Sequence, residues 1–325
     1  MTTNVLSLAR VLTVAAAIFP AVCDAQDGFP TRPVRFVVPF PAATPPDFLA
    51  RIASQKLAES WGVPVIVEVR DGAGGTIGVN QVVRAIPDGY TLLFTNDLSI
   101  AIAPVLSKTP YDPRKDLSPI GAVAQGTSVL VMHPSAGVSS IKELIAMAKA
   151  RPGALTFASA GDASTSRMCV ELIKQAAGVD LVQVPYRGAA PAIQAVLAGE
   201  VSMYCSPAFQ ALPHLKSGKL KALGVTGTRP SPVIPEVMPI SEQGLPEVIV
   251  STWYAAFAPS GTPPAVLDKI RDALKKVFDD AGVRQKLAGA GLDPIWMDAT
   301  ELAATIRSDL EKWTRLAKAT GITTE

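Results

Sequence analysis

The chain has 325 residues, with 30 Lys and Arg against 28 Asp and Glu, 48% hydrophobic and 18% charged residues, 2 His and 3 Cys. That length corresponds to about two domains with cores of their own, and the hydrophobic content excludes a disordered chain. A net charge of +2 without a basic run excludes a phosphate-backbone binder, and so few His and Cys leave little material for a metal site built from those residues.

Val11 to Ala21 is an apolar run preceded by Arg10 and followed by Cys23-Asp24-Ala25. It is too short for a membrane span, which needs about 20 apolar residues. It fits a secretory signal cleaved after Ala25, with Cys23 and Ala25 as the small residues before the cut. Residues 1–25 are therefore expected to be removed on export. Two thiols, Cys169 and Cys205, then remain, and buried free thiols are the expected state, although export permits a disulfide.

From Val34 onward, short β-rich runs alternate with amphipathic helical stretches, the pattern of an α/β fold with mainly parallel strands. Strands are predicted at 34–38, 65–69, 91–95, 128–133, 155–159, 181–184, 201–205, 222–226 and 253–258. Helices are predicted at 47–61, 76–86, 140–150, 164–177, 190–198, 263–280 and 300–319. The last carries Leu302, Ile306, Leu310 and Trp313 at the spacing of a packed face. Two Pro- and Gly-rich segments, 109–119 and 227–247, read as punctuation without regular elements. They bracket a middle segment that reads as an inserted domain, with two connecting strands as a hinge and a ligand cleft between the domains. Domain 1 is then 26–125 plus 249–325, and domain 2 is 126–248.

The chemical signal lies in two loops that run from a strand end to a helix start. Phe40 to Asp47 (Phe-Pro-Ala-Ala-Thr-Pro-Pro-Asp) is the first and Ser159 to Ser166 (Ser-Ala-Gly-Asp-Ala-Ser-Thr-Ser) is the second. Small residues admit a ligand to the backbone, and first-turn N–H groups have no intrahelical partner, which suits a carboxylate or phosphate. The bland reading is that Asp47 and Ser164 or Thr165 cap their own helices. A third loop, Asp71 to Gly78, lacks the lysine of a phosphate-binding loop and reads as a tight turn. His133 and His214 lie in unrelated motifs and read as structural.

Phe29 to Ala42, Val67 to Gly75, Asp88 to Leu93, Pro110 to Pro113, Val184 to Ala192, Pro213 to Leu223 and Trp253 to Pro263 together resemble the Bug-type receptors of tripartite tricarboxylate transporters. The resemblance keeps motif order and spans essentially the whole mature chain. It implies a two-domain periplasmic binding protein of the Venus-flytrap type, a monomer without cofactor that closes on a small carboxylate and delivers it to a membrane permease. By position it assigns Ala42, Ala43, Thr44 and Asp47 to the first-domain side of the cleft, with Asn96 nearby. Ser159, Gly161, Ser164, Thr165 and Ser166 fall on the second-domain side, with Tyr186 lining the cleft.

Three departures bear on specificity. Family members commonly read Pro-Ala-Gly-Gly where this chain has Pro41-Ala42-Ala43-Thr44. Asp162 stands in the second loop and, if it faced the cleft, would repel a second carboxylate. Acids that would hold an amino group are missing around Val201 to Pro207, so an amino acid is a poorer fit than a mono- or dicarboxylate with an apolar or aromatic body. The competing function is an exported hydrolase using Ser159, Ser164 or Ser166, which needs a base within hydrogen-bond reach.

Overall fold

In the computed structural model the described residues are 28–162, 164–231 and 234–322. The expected cleavage after Ala25 lies outside them. The chain opens with β1 (Val34–Val38), α1 (Pro45–Trp61), β2 (Val65–Val69), α2 (Thr76–Val83) and β3 (Thr91–Asn96). β1 pairs in parallel with both β2 and β3, and its apolar residues are buried as in a sheet covered on both faces. α1 lays Leu49, Ala50, Ala53 and Leu57 on the sheet and stops at Gly62, whose φ of 70° terminates the helix. α2 ends three residues earlier than expected, ahead of Pro87, which has no N–H to continue a helix.

A buried π-turn at Leu98–Ile102 leads into α3 (Ala103–Leu106), and β4 (Leu117–Met132) follows. The sequence shows only the second half of β4, because Pro119, Gly121 and Gly126 mask the first. Leu117 to Pro119, expected to be irregular, begin this strand. The proline is tolerated beside a register shift against β9 (Ser251–Pro259) between Pro119 and Gly121. Segment 227–247 also holds one regular piece, a short helical turn at Ile240–Gln243, fixed by burial of Ile240 and by Gln243 Nε2 donating to Leu223 O at 3.0 Å.

The middle of the chain supplies α4 (Ile141–Ala150), β5 (Thr156–Ser159), α5 (Thr165–Ala177), β6 (Val182–Pro185), α6 (Ala189–Leu197), β7 (Met203–Pro207), α7 (Ala208–Lys216) and β8 (Lys221–Val225). After β9 come α8 (Pro264–Asp279), α9 (Ala281–Gly289), β10 (Asp293–Met297) and α10 (Ala299–Thr320). The sequence reading lacks α3, α7, α9 and β10. The strand order is β2-β1-β3-β9-β4-β7-β5-β6, with β8 and β10 also paired to β4.

β4 is the shared strand. Residues 117–127 pair with β9, and residues 128–132 pair with β7 and β8, so one strand serves both halves of the sheet. The return path is tied to it at Thr226, which is fully buried. Its N–H donates to Ser128 O at 2.9 Å, its hydroxyl donates to Val250 O, and Val250 N–H donates to Thr226 O at 2.9 Å. One apolar cluster runs from Val37 and Leu93 through Leu130 to Phe157 and Met168, and takes in Leu302, Ile306 and Trp313 of α10.

Cys169 and Cys205 form a disulfide between α5 and β7, with Cα atoms 6.5 Å apart. This corrects the expectation of free thiols. The packing of α5 against β7 brings together two cysteines 36 positions apart, a proximity that spacing alone does not reveal.

Candidate functional site

The loops after β1 and β5 approach each other across a cavity of about 340 Å³. Ala43, Thr44 and Asn96 line it from one side, and Ser164, Thr165 and Ser166 line it from the other. Ala42 and Asp47 stand behind Ala43 and face a neighbouring hollow instead. Ser159, Gly161 and Tyr186 support the second loop without lining the cavity: Tyr186 N–H donates to Ser159 O at 2.9 Å, and Ser164 Oγ donates to Gly161 O at 2.6 Å. Sequence reasoning missed Tyr204, Phe209, Gln210, Thr252 and Tyr254, which reach the cavity from β7, α7 and β9.

The two helix starts are not equivalent. In α1 the first two positions are Pro45 and Pro46, which have no N–H to offer. The Asp47 carboxylate, buried at 3% exposure, already occupies that helix end and accepts from Ala43 N–H and Arg51 Nε, each at 2.9 Å. Thr44 does not cap the helix with its side chain but donates to Pro41 O at 2.7 Å. In α5, by contrast, Ser164 caps in the ordinary way, accepting from Arg167 N–H at 3.3 Å. The Thr165 and Ser166 N–H groups, in the first turn, have no partner within the helix.

The hydroxyls at this helix end form a directed chain. Because the Ser164 proton goes to Gly161 O, Ser166 is the donor in its 2.9 Å contact with Ser164, while Ser166 Oγ accepts from Ala160 N–H at 3.0 Å. Asp162 does not face the cavity. It pairs with Arg167 at 3.1 Å and accepts from Gln183 Nε2 at 3.0 Å, so the feared repulsion is absent from the lining.

Among the described residues, no charged side chain lines the cavity. Burial pushes the Tyr204 and Tyr254 phenols well above their ordinary range, so both stay protonated and able to donate. Beneath Tyr254, burial also pushes the Asp97 carboxyl well above the usual carboxylate range; Asp309 adds to the shift and Lys312 opposes it. This arrangement suits a single anionic head group held by dipoles and hydroxyls. It does not suit serine chemistry: among the described residues, no histidine or lysine is bonded to Ser159, Ser164 or Ser166. His133 Nδ1 is engaged by Ser135 Oγ at 2.7 Å, and Ser159 Oγ accepts from Gln183 Nε2 at 2.8 Å.

Ala43 holds a left-handed φ of 63°, which costs a non-glycine residue about 1–2 kcal/mol. After the entropy that glycine adds to the unfolded chain, Ala43→Gly is expected to raise unfolding free energy by about 0.5–1 kcal/mol in urea titrations. A loss of stability would show that the alanine is held without strain.

Comparison with known proteins gives a consistent picture. The family described as "Tripartite tricarboxylate transporter family receptor" matches residues 49–322. Protein BugT of Bordetella pertussis is 31% identical over 98% of each chain. Among solved structures, the periplasmic binding protein BugD is 32% identical with a TM-score of 0.76, covering 91% of this chain and 100% of BugD. A protein of R. palustris solved with adipate gives 28% identity and a TM-score of 0.80, covering 91% of this chain and 99% of that one. MatC from Rhodopseudomonas palustris, with bound malate, gives 30% and 0.75 over 89% and 99%.

Proposed function

The chain belongs to the tripartite tricarboxylate transporter receptor family, and from that premise we propose that it captures a small carboxylate in the cleft and presents it to a tripartite membrane permease. Receptors of this family are periplasmic solute-binding proteins rather than enzymes, which removes the hydrolase alternative. Relatives solved with adipate and malate support an anionic ligand of this class. The observation that carries the reading is an uncharged cavity closed at one end by the free first turn of α5.

On this reading the carboxylate sits against the Thr165 and Ser166 N–H groups and the adjacent hydroxyls, while the Thr44 side contributes shape more than charge. The residues assigned by resemblance then divide. Ala43, Thr44, Asn96, Ser164, Thr165 and Ser166 face the ligand; Ser159, Gly161 and Tyr186 hold the second loop; Ala42 and Asp47 back the first. Among the described residues no acid lines the cavity to hold an ammonium group, so a carboxylate without an amino group is the better fit. The mature protein starts after Ala25, acts as a monomer, and divides into 26–125 plus 249–325 and 126–248.

Calorimetric titration of the mature chain with mono- and dicarboxylates, their amides and amino acids tests this reading. Carboxylates are expected to bind and their uncharged amides to fail. Ser166→Ala breaks the hydroxyl chain that holds Ala160 N–H and Ser164 at this helix end, and is expected to weaken binding about tenfold, the cost of leaving one hydrogen-bond partner unmet beside the anion. Binding of amino acids alone, or equal binding of acids and amides, would overturn the assignment.

A further inference from the structure

We propose that the apolar hollow beside the cavity receives the ligand's tail, so that the receptor selects carboxylates carrying an extended apolar chain. This deepens the receptor reading above and rests on it. The hollow measures about 630 Å³ and shares Ala43, Pro45 and Phe209 with the polar cavity, so the two spaces meet at those three residues. Phe48, Ala290 and Leu292 complete its apolar wall. Its two charged residues, Asp47 and Arg51, are bonded to each other at 2.9 Å.

The placement of this wall matters as much as its chemistry. Phe209 belongs to α7, whereas Pro45 and Phe48 belong to α1 and Ala290 and Leu292 flank the turn between α9 and β10. The hollow therefore exists only where the two halves of the molecule meet. A Cβ placed on Gly291 would lie 2.5 Å from Phe209 Cβ, which shows how tightly that seam is drawn. A tail lodged there touches both halves and buries apolar surface only while they are together. It thus favours the closed arrangement by its differential contacts. The polar cavity supplies the head-group site and the hollow sets the length preference.

The test is a titration series on the full mature chain with straight-chain monocarboxylates from acetate to octanoate, repeated with dicarboxylates of equal length. Each methylene that enters the hollow is expected to lower Kd about fourfold until the space is filled. Two variants address the hollow by opposite means, with circular dichroism confirming the fold of each. Ala290→Trp obstructs it and Phe209→Ala removes its shared wall; either is expected to flatten the dependence on chain length, so one remains informative if the other fails to fold. A wild-type series that binds with no dependence on length overturns the tail site and leaves the carboxylate receptor standing. Absence of binding at every length overturns the receptor reading as well. Dicarboxylates that bind more tightly than monocarboxylates of equal length place a charge in the hollow and overturn its apolar assignment.

Discussion

Gly291→Ala is expected to weaken carboxylate binding by about five- to 150-fold, the range implied by an overpacking cost of about 1–3 kcal/mol. The added Cβ would meet Phe209 Cβ at 2.5 Å, Phe209 Cα at 3.0 Å and Phe209 N at 3.3 Å. Two of those atoms are backbone, so the rotation of a side chain does not relieve the contact. On the proposed reading, in which the halves meet over the ligand, relieving the contact separates them and the cost appears as lost affinity. Gly291 also has a φ of 71°, which penalises alanine in any state. Gly62→Ala is the matched control: its φ is 70° and nothing lies within 4 Å of the new atom. It is expected to lower stability by about 1 kcal/mol and leave Kd unchanged. Equal affinities for the two variants in calorimetry would show that the seam at Phe209 does not govern closure.

Loss of the disulfide is expected to have the largest effect on stability. Replacing Cys169 and Cys205 by alanine frees a connection spanning 36 positions, worth about 3–4 kcal/mol by the loop-entropy relation. At about 2–4 °C per kcal/mol, the thermal midpoint falls by about 10 °C. Affinity should fall as well, because the bridge pins α5, whose first turn faces the cavity, to β7, which contributes Tyr204 and Cys205 to the same lining. Thermal unfolding with and without reductant gives the check. Reductant should shift the wild type toward the variant and leave the variant unmoved, and a wild type indifferent to reductant would sink this account.

The local elements of the fold were largely legible from residue patterning. Val34 to Val38 forms the strand its β-rich run predicts, and the α10 stripe buries Leu302, Ile306 and Trp313, with Leu310 partly buried beside them. β4 was legible only in part, since its first half contains Pro119, Gly121 and Gly126, and a register shift against β9 accommodates the chain between Pro119 and Gly121. α7 contains Pro213, which disguises a helix that nonetheless forms.

The candidate site divides along the same line between local and distant information. Both loops could be found because each joins a strand end to a helix start. The difference between them was present in the sequence too, since Pro45 and Pro46 announce two missing donors, but its weight appears only once Asp47 is seen bonded to Ala43. Tyr204, Phe209, Thr252 and Tyr254 reach the cavity through the pairing of distant strands and the close approach of α7, and no local pattern identifies them. The same distance hid the disulfide.

The clasp at Thr226 has a consequence for what a membrane partner can sense. Ser128 and Val250 lie on the two connections between the halves, and Thr226 bonds to both. Two separate tethers would let the halves slide, tilt and twist independently. Fastened at one residue, the two connections would share a pivot in the proposed closure and confine it toward rotation about a single line. On the proposed receptor reading, occupancy is then expressed as one angle, which a permease facing the rim would read without touching the molecule inside.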